Sequence, residues 1–203
     1  MELPKSTAYG RIIAKDKLYE HGGANDDLQK TVARQIGRVR WANIIAARTM
    51  NLAQDLPTGQ SDEGITEIEL IEIELRVPFT ELDRRILPLI VKAVPYSLLF
   101  KLIRGDNVDY ALIYGGKVYQ NNVPPRIIGN GINTVWDNIV RQIAGFPLND
   151  TPLNDIIDDT ERHNKLTKQI ESLERKARSE RQPRRKLEYA EEVKKLKELL
   201  TNG

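Results

Sequence analysis

Residues 64–76 constrain the fold most, because apolar and acidic side chains alternate there with a period of two. That period is typical of a β-strand with one buried face and one solvated face, so its glutamates are predicted to face solvent. The alternation changes phase at Leu70 and Ile71, where two apolar residues are adjacent. We therefore predict a bulge or a sharp twist there. Pro57 and Gly59 predict a loop before the strand.

Apolar spacing predicts helices on both sides of this strand. Residues 28–48 carry apolar side chains at helical intervals, with Trp41 beside the stripe as a core anchor. Residues 81–93 show a second stripe, and Pro88 within it predicts a kink or a late helix start. Three short apolar runs separated by glycine turns then predict strands over 96–103, 108–114 and 117–123. A third amphipathic helix is predicted over 134–144. The predicted fold class is α+β, with a mixed, mainly antiparallel sheet covered by helices.

The C-terminal part of the chain has a different composition. Pro-Leu-Asn-Asp occurs at 147–150 and again at 152–155, which predicts a linker over 147–156 after a body of residues 1–146. Residues 157–203 contain two short heptad seams separated by Pro183, and proline is disfavoured inside a helix. We expect an antiparallel, coiled-coil-like helical hairpin with about four turns in each helix.

The turn of this hairpin is locally basic. Between residues 174 and 186 seven basic side chains stand against two acidic ones, for a net charge of +5. The seven basic residues are Arg175, Lys176, Arg178, Arg181, Arg184, Arg185 and Lys186. They could bind nucleic-acid phosphates or an acidic protein face. Basic residues that complement the dipole at a helix C-terminus are an alternative explanation for part of the cluster.

Overall composition excludes several functional classes. The 203 residues carry a formal charge of +2 and contain no cysteine, so disulfides and thiolate metal sites are ruled out. We find no apolar run long enough to cross a bilayer and no leader-like segment at the N-terminus, and we expect a cytoplasmic protein. His21 and His163 are the only histidines, and neither has a patterned nucleophile nearby. We predict no catalytic residues, no bound metal and no cofactor.

The acidic strand leaves one enzymatic alternative open. Nucleases that depend on a divalent metal place carboxylates on a strand. That strand ends in a three-residue motif, in which an acidic residue is followed by any residue and then by lysine. Glu74, Leu75 and Arg76 have that spacing, but arginine stands in the lysine position and cannot exchange a proton with water. The alternative function is a nuclease that uses residues 67–76.

Eight stretches of the sequence carry a resemblance to known sequences, and they are 3–7, 11–12, 17–20, 36–41, 67–75, 82–83, 92–96 and 141–144. They resemble an uncharacterised prokaryotic family known only as a domain of unknown function. The resemblance covers about residues 1–145, and the charged helical tail is also similar. It implies genes near helicases and DNA methyltransferases in restriction or phage-defence neighbourhoods, and it implies no catalytic residues. The chain departs from the family in having Arg76 for lysine and a short stretch over 117–133.

These observations predict a non-catalytic accessory or adapter subunit of a DNA-processing complex. The expected partner is a larger protein such as a helicase or methyltransferase. Nucleic acid at the basic turn and self-association through the hairpin are further expectations, and no membrane partner is expected.

Overall fold

The computed structural model of the chain describes residues 1–52, 64–149 and 151–201. The loop predicted at Pro57 and Gly59 lies outside the described residues. The strands are β1 (Ala8–Ile12), β2 (Ile36–Ala46), β3 (Glu67–Leu75), β4 (Ser97–Arg104), β5 (Asn107–Tyr114) and β6 (Lys117–Asn121). The helices are α1 (Lys15–Gly22), α2 (Asp26–Gln35), α3 (Ala47–Met50), α4 (Ile86–Ala93), α5 (Ile132–Ala144), α6 (Leu153–Ser179) and α7 (Pro183–Thr201).

The chain divides into two compact units, an N-terminal unit (Met1–Asn149) and a C-terminal unit (Asp150–Gly203). This division falls inside the stretch 147–156 that was predicted as a linker. Helix α6 begins at Leu153, directly after Pro152, whose backbone is still extended with a ψ of 137°. The predicted domain boundaries themselves stay a prediction.

The N-terminal unit is built on one six-stranded sheet in the order β1-β2-β3-β4-β5-β6. Neighbouring strands are antiparallel except β3 and β4, which are parallel and are connected through α4. A parallel pair requires such a crossover, whereas the antiparallel pairs β4–β5 and β5–β6 are joined by tight turns. The predicted α+β class with a mixed, mainly antiparallel sheet is confirmed.

Apolar side chains cover both faces of the sheet. On one face Ile71, Ile73 and Phe100 pack in a buried core with residues of α1, α2 and α4. Ile68 and Leu70 are also buried, and they point to the opposite face because neighbouring strand residues alternate. Helix α5 buries its own apolar stripe and packs on β3, β5 and β6. The central strand β3 therefore has no solvated face.

The helix predicted over residues 28–48 is wrong beyond Gln35. Asn25 caps α2 through its side-chain oxygen, which accepts a 2.9 Å bond from the Leu28 amide, but the helix ends at Gln35. Strand β2 follows at once and pairs with both β1 and β3. The β-branched residues of this segment are compatible with a strand as well as with a helix. Pairing with the two neighbouring strands stabilises the strand.

The predicted bulge lies on the neighbouring strand. Strand β3 pairs with β4 in unbroken register through Leu70 and Ile71. The irregularity is in β2, where Trp41 pairs with Ile71 and Asn43 pairs with Leu70, leaving Ala42 as the extra residue. Because both faces of β3 are buried, the phase change needs no bulge in β3 itself.

The C-terminal unit is a helical hairpin of α6 and α7, as predicted, although both helices exceed four turns. Ile170 on α6 and Val193 on α7 are buried. The other apolar residues of the two heptad seams are half-buried, namely Leu166, Leu173, Ala177, Tyr189, Leu196 and Leu200. Across the seam Lys197 Nζ lies 2.7 Å from Glu174 Oε1. No helix in the described ranges is long and apolar enough to span a membrane.

Candidate functional site

The structure places all seven predicted basic residues at one end of the hairpin. Arg175, Lys176 and Arg178 lie in the last turns of α6, and the other four lie in or next to the first turn of α7. All seven are exposed. Residues 181–188 are exposed without interruption, so the first turns of α7 present every side chain to solvent. We call this set of seven residues the basic turn.

Few acidic side chains neutralise the basic turn. Arg178 lies 3.6 Å from Glu174, and Arg184 lies 3.4 Å from Glu188, each four residues away on the same helix. Exposed pairs of this kind contribute only about 0.3–0.5 kcal/mol, so an incoming anion could replace them. Glu180 is held locally, because its carboxylate accepts hydrogen bonds from the amides of Arg181 and Gln182. These amide bonds lower the pKa of Glu180.

Helix dipoles favour only part of the basic turn. Lys176 and Arg178 lie at the C-terminus of α6, where positive charge is favourable. Arg184, Arg185 and Lys186 lie at the N-terminus of α7, where the dipole disfavours positive charge. In that first turn Pro183 has no amide hydrogen, and the Lys186 amide donates to the Gln182 carbonyl oxygen at 3.1 Å. The amides of Arg184 and Arg185 and the three cations instead favour the same ligand, an anion.

The four glutamates of β3 do not form one site. Glu69 shares a face with Glu67, whereas Glu72 lies on the opposite face with Glu74, because β3 is regular. The prediction that these glutamates are solvated is wrong for two of them, since Glu69 is 0% exposed and Glu72 is 8% exposed. The described residues contain no group of three or more His, Cys, Asp or Glu side chains that could hold a metal ion.

Glu72 belongs to a polar row that runs across neighbouring strands. Arg40 on β2 donates to one carboxylate oxygen, and Lys101 on β4 donates to the other at 2.9 Å. Burial alone would raise the pKa of Glu72, but the hydrogen bonds from Lys101 and Arg40 hold the pKa below its usual value. The carboxylate is fully engaged within the fold, so this geometry does not support a metal-binding nuclease.

Glu69 has a different environment. The indole Nε1 of Trp41 donates a hydrogen bond to one carboxylate oxygen, and the other oxygen, which is buried, has no hydrogen-bond partner in the described part of the chain. Burial raises the pKa of Glu69 to about 7, against the hydrogen bond from Trp41, and the nearby Glu67 carboxylate raises it as well. Arg48 forms a 2.9 Å ion pair with Glu67 and limits that effect.

Trp41 also forms part of a row of aromatic side chains that the sequence did not reveal. The ring centroid of Tyr9 lies 5.4 Å from that of Trp41, and Tyr96 lies 6.3 Å away on a different segment. The guanidinium of Arg11 lies 5.0 Å from the Tyr9 ring centre. These four residues, named here the aromatic row, come from three separate stretches of the chain. Only the pairing of β1 with β2 and the start of β4 bring them together.

A cleft of about 560 Å³ lies between the loop after β3 and the β4–β5 turn. Its charged lining residues are Arg76, Arg104, Asp106 and Asp109, of which Arg104 and Asp109 form an ion pair with each other. Gln120 donates a further hydrogen bond to Asp109 at 2.7 Å. The Asp109 carboxylate is therefore already paired within the fold.

The comparisons with known proteins place the chain in a family. The family model described as "Domain of unknown function (DUF4391)" matches residues 1–123 and 116–200, so the chain belongs to this family. No curated protein and no solved structure matches the chain. The predicted membership of an uncharacterised domain family is confirmed.

Proposed function

We propose that the protein is a non-catalytic accessory subunit of a prokaryotic DNA-processing complex, of the restriction or phage-defence type. In this proposal the basic turn binds DNA phosphates while the complex acts. The partner is a larger protein such as a helicase or a DNA methyltransferase. This choice rests on the resemblance of the chain to a family whose genes lie near genes for such enzymes. The N-terminal unit serves as the folded base of the subunit.

The observation that carries the proposal is the position of the cations relative to the helix ends. The helix dipole gives no reason to place Arg184, Arg185 and Lys186 at the positive end of α7. Binding of a phosphate there would satisfy both the helix amides and the side chains. Arginine is well suited to this role, because its planar guanidinium can bind two phosphate oxygens.

The test is the salt dependence of binding to duplex DNA. A variant with Arg181, Arg184 and Arg185 changed to Gln loses three cations from the basic turn. Each lost phosphate contact lowers the slope of log K against log salt by about 0.9, so the slope should fall by up to about 3. Fluorescence anisotropy with a labelled duplex, measured over a range of salt concentrations, gives this slope.

The matched control removes the same net charge from elsewhere on the hairpin. Lys165, Lys168 and Lys195 are exposed and lie outside the basic turn. Changing these three to Gln should leave the salt slope close to that of the wild type. Equal slopes for the two triple variants would mean that the basic turn does not contact phosphate.

Binding of the protein partner is measured separately. The wild type and the two triple variants are compared as full chains for co-purification with the helicase or methyltransferase encoded beside the gene. Loss of the partner only in the basic-turn variant would assign the turn to a protein interface instead of DNA. Plasmid cleavage in Mg²⁺ or Mn²⁺, compared between the wild type and Glu72→Gln, tests the nuclease alternative directly.

A further inference from the structure

The aromatic row is a second surface with no role in the proposed function. Tyr9 is 38% exposed and Tyr96 is 43% exposed, and both rings contact Trp41 between them. Large aromatic side chains at this exposure keep apolar surface in contact with water. A bound ligand that buries this surface is therefore favoured. The row belongs to the N-terminal unit, whereas the basic turn belongs to the C-terminal unit.

A hydrogen bond and a ring contact restrict the side chains of the aromatic row. Trp41 cannot rotate freely because its indole N–H is bonded to Glu69, which is fully buried. Tyr9 packs on the indole edge-on, with an angle of 63° between the ring planes. Rings that are fixed before binding lose little conformational entropy when a ligand arrives.

The charge beside the row indicates the chemistry of the ligand. Arg11 lies over the Tyr9 ring and is exposed, and no ion pair to it occurs among the described residues. A cation next to a row of rings matches a nucleotide, in which a flat base is joined to a phosphate. Tyr9 and Tyr96 each contact Trp41 and are each exposed, so the row offers two rings on which bases can stack.

From this geometry we infer that the aromatic row binds single-stranded nucleic acid by stacking its bases on Tyr9 and Tyr96, with Arg11 contacting the backbone. This binding differs from that of the basic turn because it reads bases and not only phosphates. It should therefore persist at high salt. At about 1 M salt the screening length falls to about 3 Å, which suppresses phosphate contacts much more than stacking.

The experiment uses the full chain and a labelled oligothymidine, followed by anisotropy at low and at about 1 M salt. We expect the oligothymidine to bind at both concentrations and to quench the fluorescence of Trp41. Trp136 is buried in α5, so Trp136→Phe isolates the Trp41 signal. The matched ligand is an abasic oligonucleotide of the same length, which keeps the phosphates and lacks the bases. It should not bind at high salt.

Substitutions in the protein test the two tyrosines separately. Tyr9→Ala and Tyr96→Ala should each weaken binding of oligothymidine at least about fivefold at high salt. Tyr9→Phe and Tyr96→Phe keep the rings and should bind as the wild type does. The midpoint of chemical denaturation shows whether each variant is folded, and two independent positions keep the test valid if one alanine variant unfolds.

Equal binding of the oligothymidine and the abasic strand at high salt would overturn the inference. Unchanged affinity in both folded alanine variants would overturn it as well. If oligothymidine does not bind at high salt while duplex DNA still binds in a salt-dependent way, the role inferred for the aromatic row is refuted. The role proposed for the basic turn is then retained. An unchanged salt slope in the basic-turn variant, with oligothymidine still bound at high salt, would instead refute the role of the basic turn and retain that of the aromatic row.

Discussion

Glu69 should make the folded protein less stable as the pH rises towards neutrality. Its side chain is 0% exposed, and burial raises its pKa from 4.5 to about 7. The unfolded chain has no such burial, so there the carboxyl group ionises near its ordinary pKa. Between these two pKa values the folded protein holds a proton that the unfolded chain has released.

The sign and size of the effect follow from that difference. Stability falls with pH wherever the folded state binds more protons, so Glu69 contributes its full stability below about pH 4.5 and loses it as pH rises through about 7. The difference between the two pKa values corresponds to about 3 kcal/mol. Replacing Glu69 by Gln removes the ionisation while keeping an oxygen that can accept the Trp41 hydrogen bond.

The assay is chemical denaturation followed by tryptophan fluorescence at several pH values from about 4.5 to 8. Glu69→Gln should gain up to about 3 kcal/mol over the wild type at pH 8, and this gain should shrink as the pH falls. Glu81→Gln, at an exposed position, is the control for loss of a carboxylate and should follow the wild type. A constant difference between Glu69→Gln and the wild type at every pH would refute the reasoning.

Two further predictions concern packing and the polar row. Gly22→Ala should destabilise the N-terminal unit by about 1–3 kcal/mol, because a Cβ at this position would lie 2.4 Å from Cδ1 and 2.7 Å from the carbonyl oxygen of Leu89; thermal denaturation measures the loss. Glu72→Gln should cost about 1–3 kcal/mol at neutral pH, since Arg40 and Lys101 lose a charged partner but can still reach water. Because the folded pKa of Glu72 is lowered, its contribution is present at neutral pH and disappears as the pH falls through that pKa.

Each of these has a control in the same unit. Gly105→Ala replaces a glycine with open space around its Cβ position but with a positive φ of 60°, so its cost reports backbone strain without a clash. Glu74→Gln removes a strand carboxylate whose pair with Arg38 is longer, at 3.7 Å, and more exposed. It should cost less than Glu72→Gln, and equal losses at neutral pH would contradict the role assigned to burial.

Local sequence patterns determined much of the architecture. Pro88 predicted a late helix start, and α4 begins at Ile86, with proline in its first turn where no amide bond is lost. Pro183 likewise marks the break between α6 and α7. The basic turn was visible as seven cations within 13 residues, because consecutive charges stay close in any fold. Signals of this kind depend on neighbours along the chain.

Contacts between distant segments decided the rest. Residues 36–46 have apolar spacing compatible with a helix, and pairing with β1 and β3 makes them a strand. The glutamates of β3 alternate as solvated residues do, yet α1, α2 and α4 cover one face and α5 covers part of the other, so Glu69 and Glu72 are buried. The sequence by itself determined the helix starts marked by proline and the place where charge accumulates. Only the tertiary structure decided which faces lose contact with water, because burial depends on segments that are far apart in the chain.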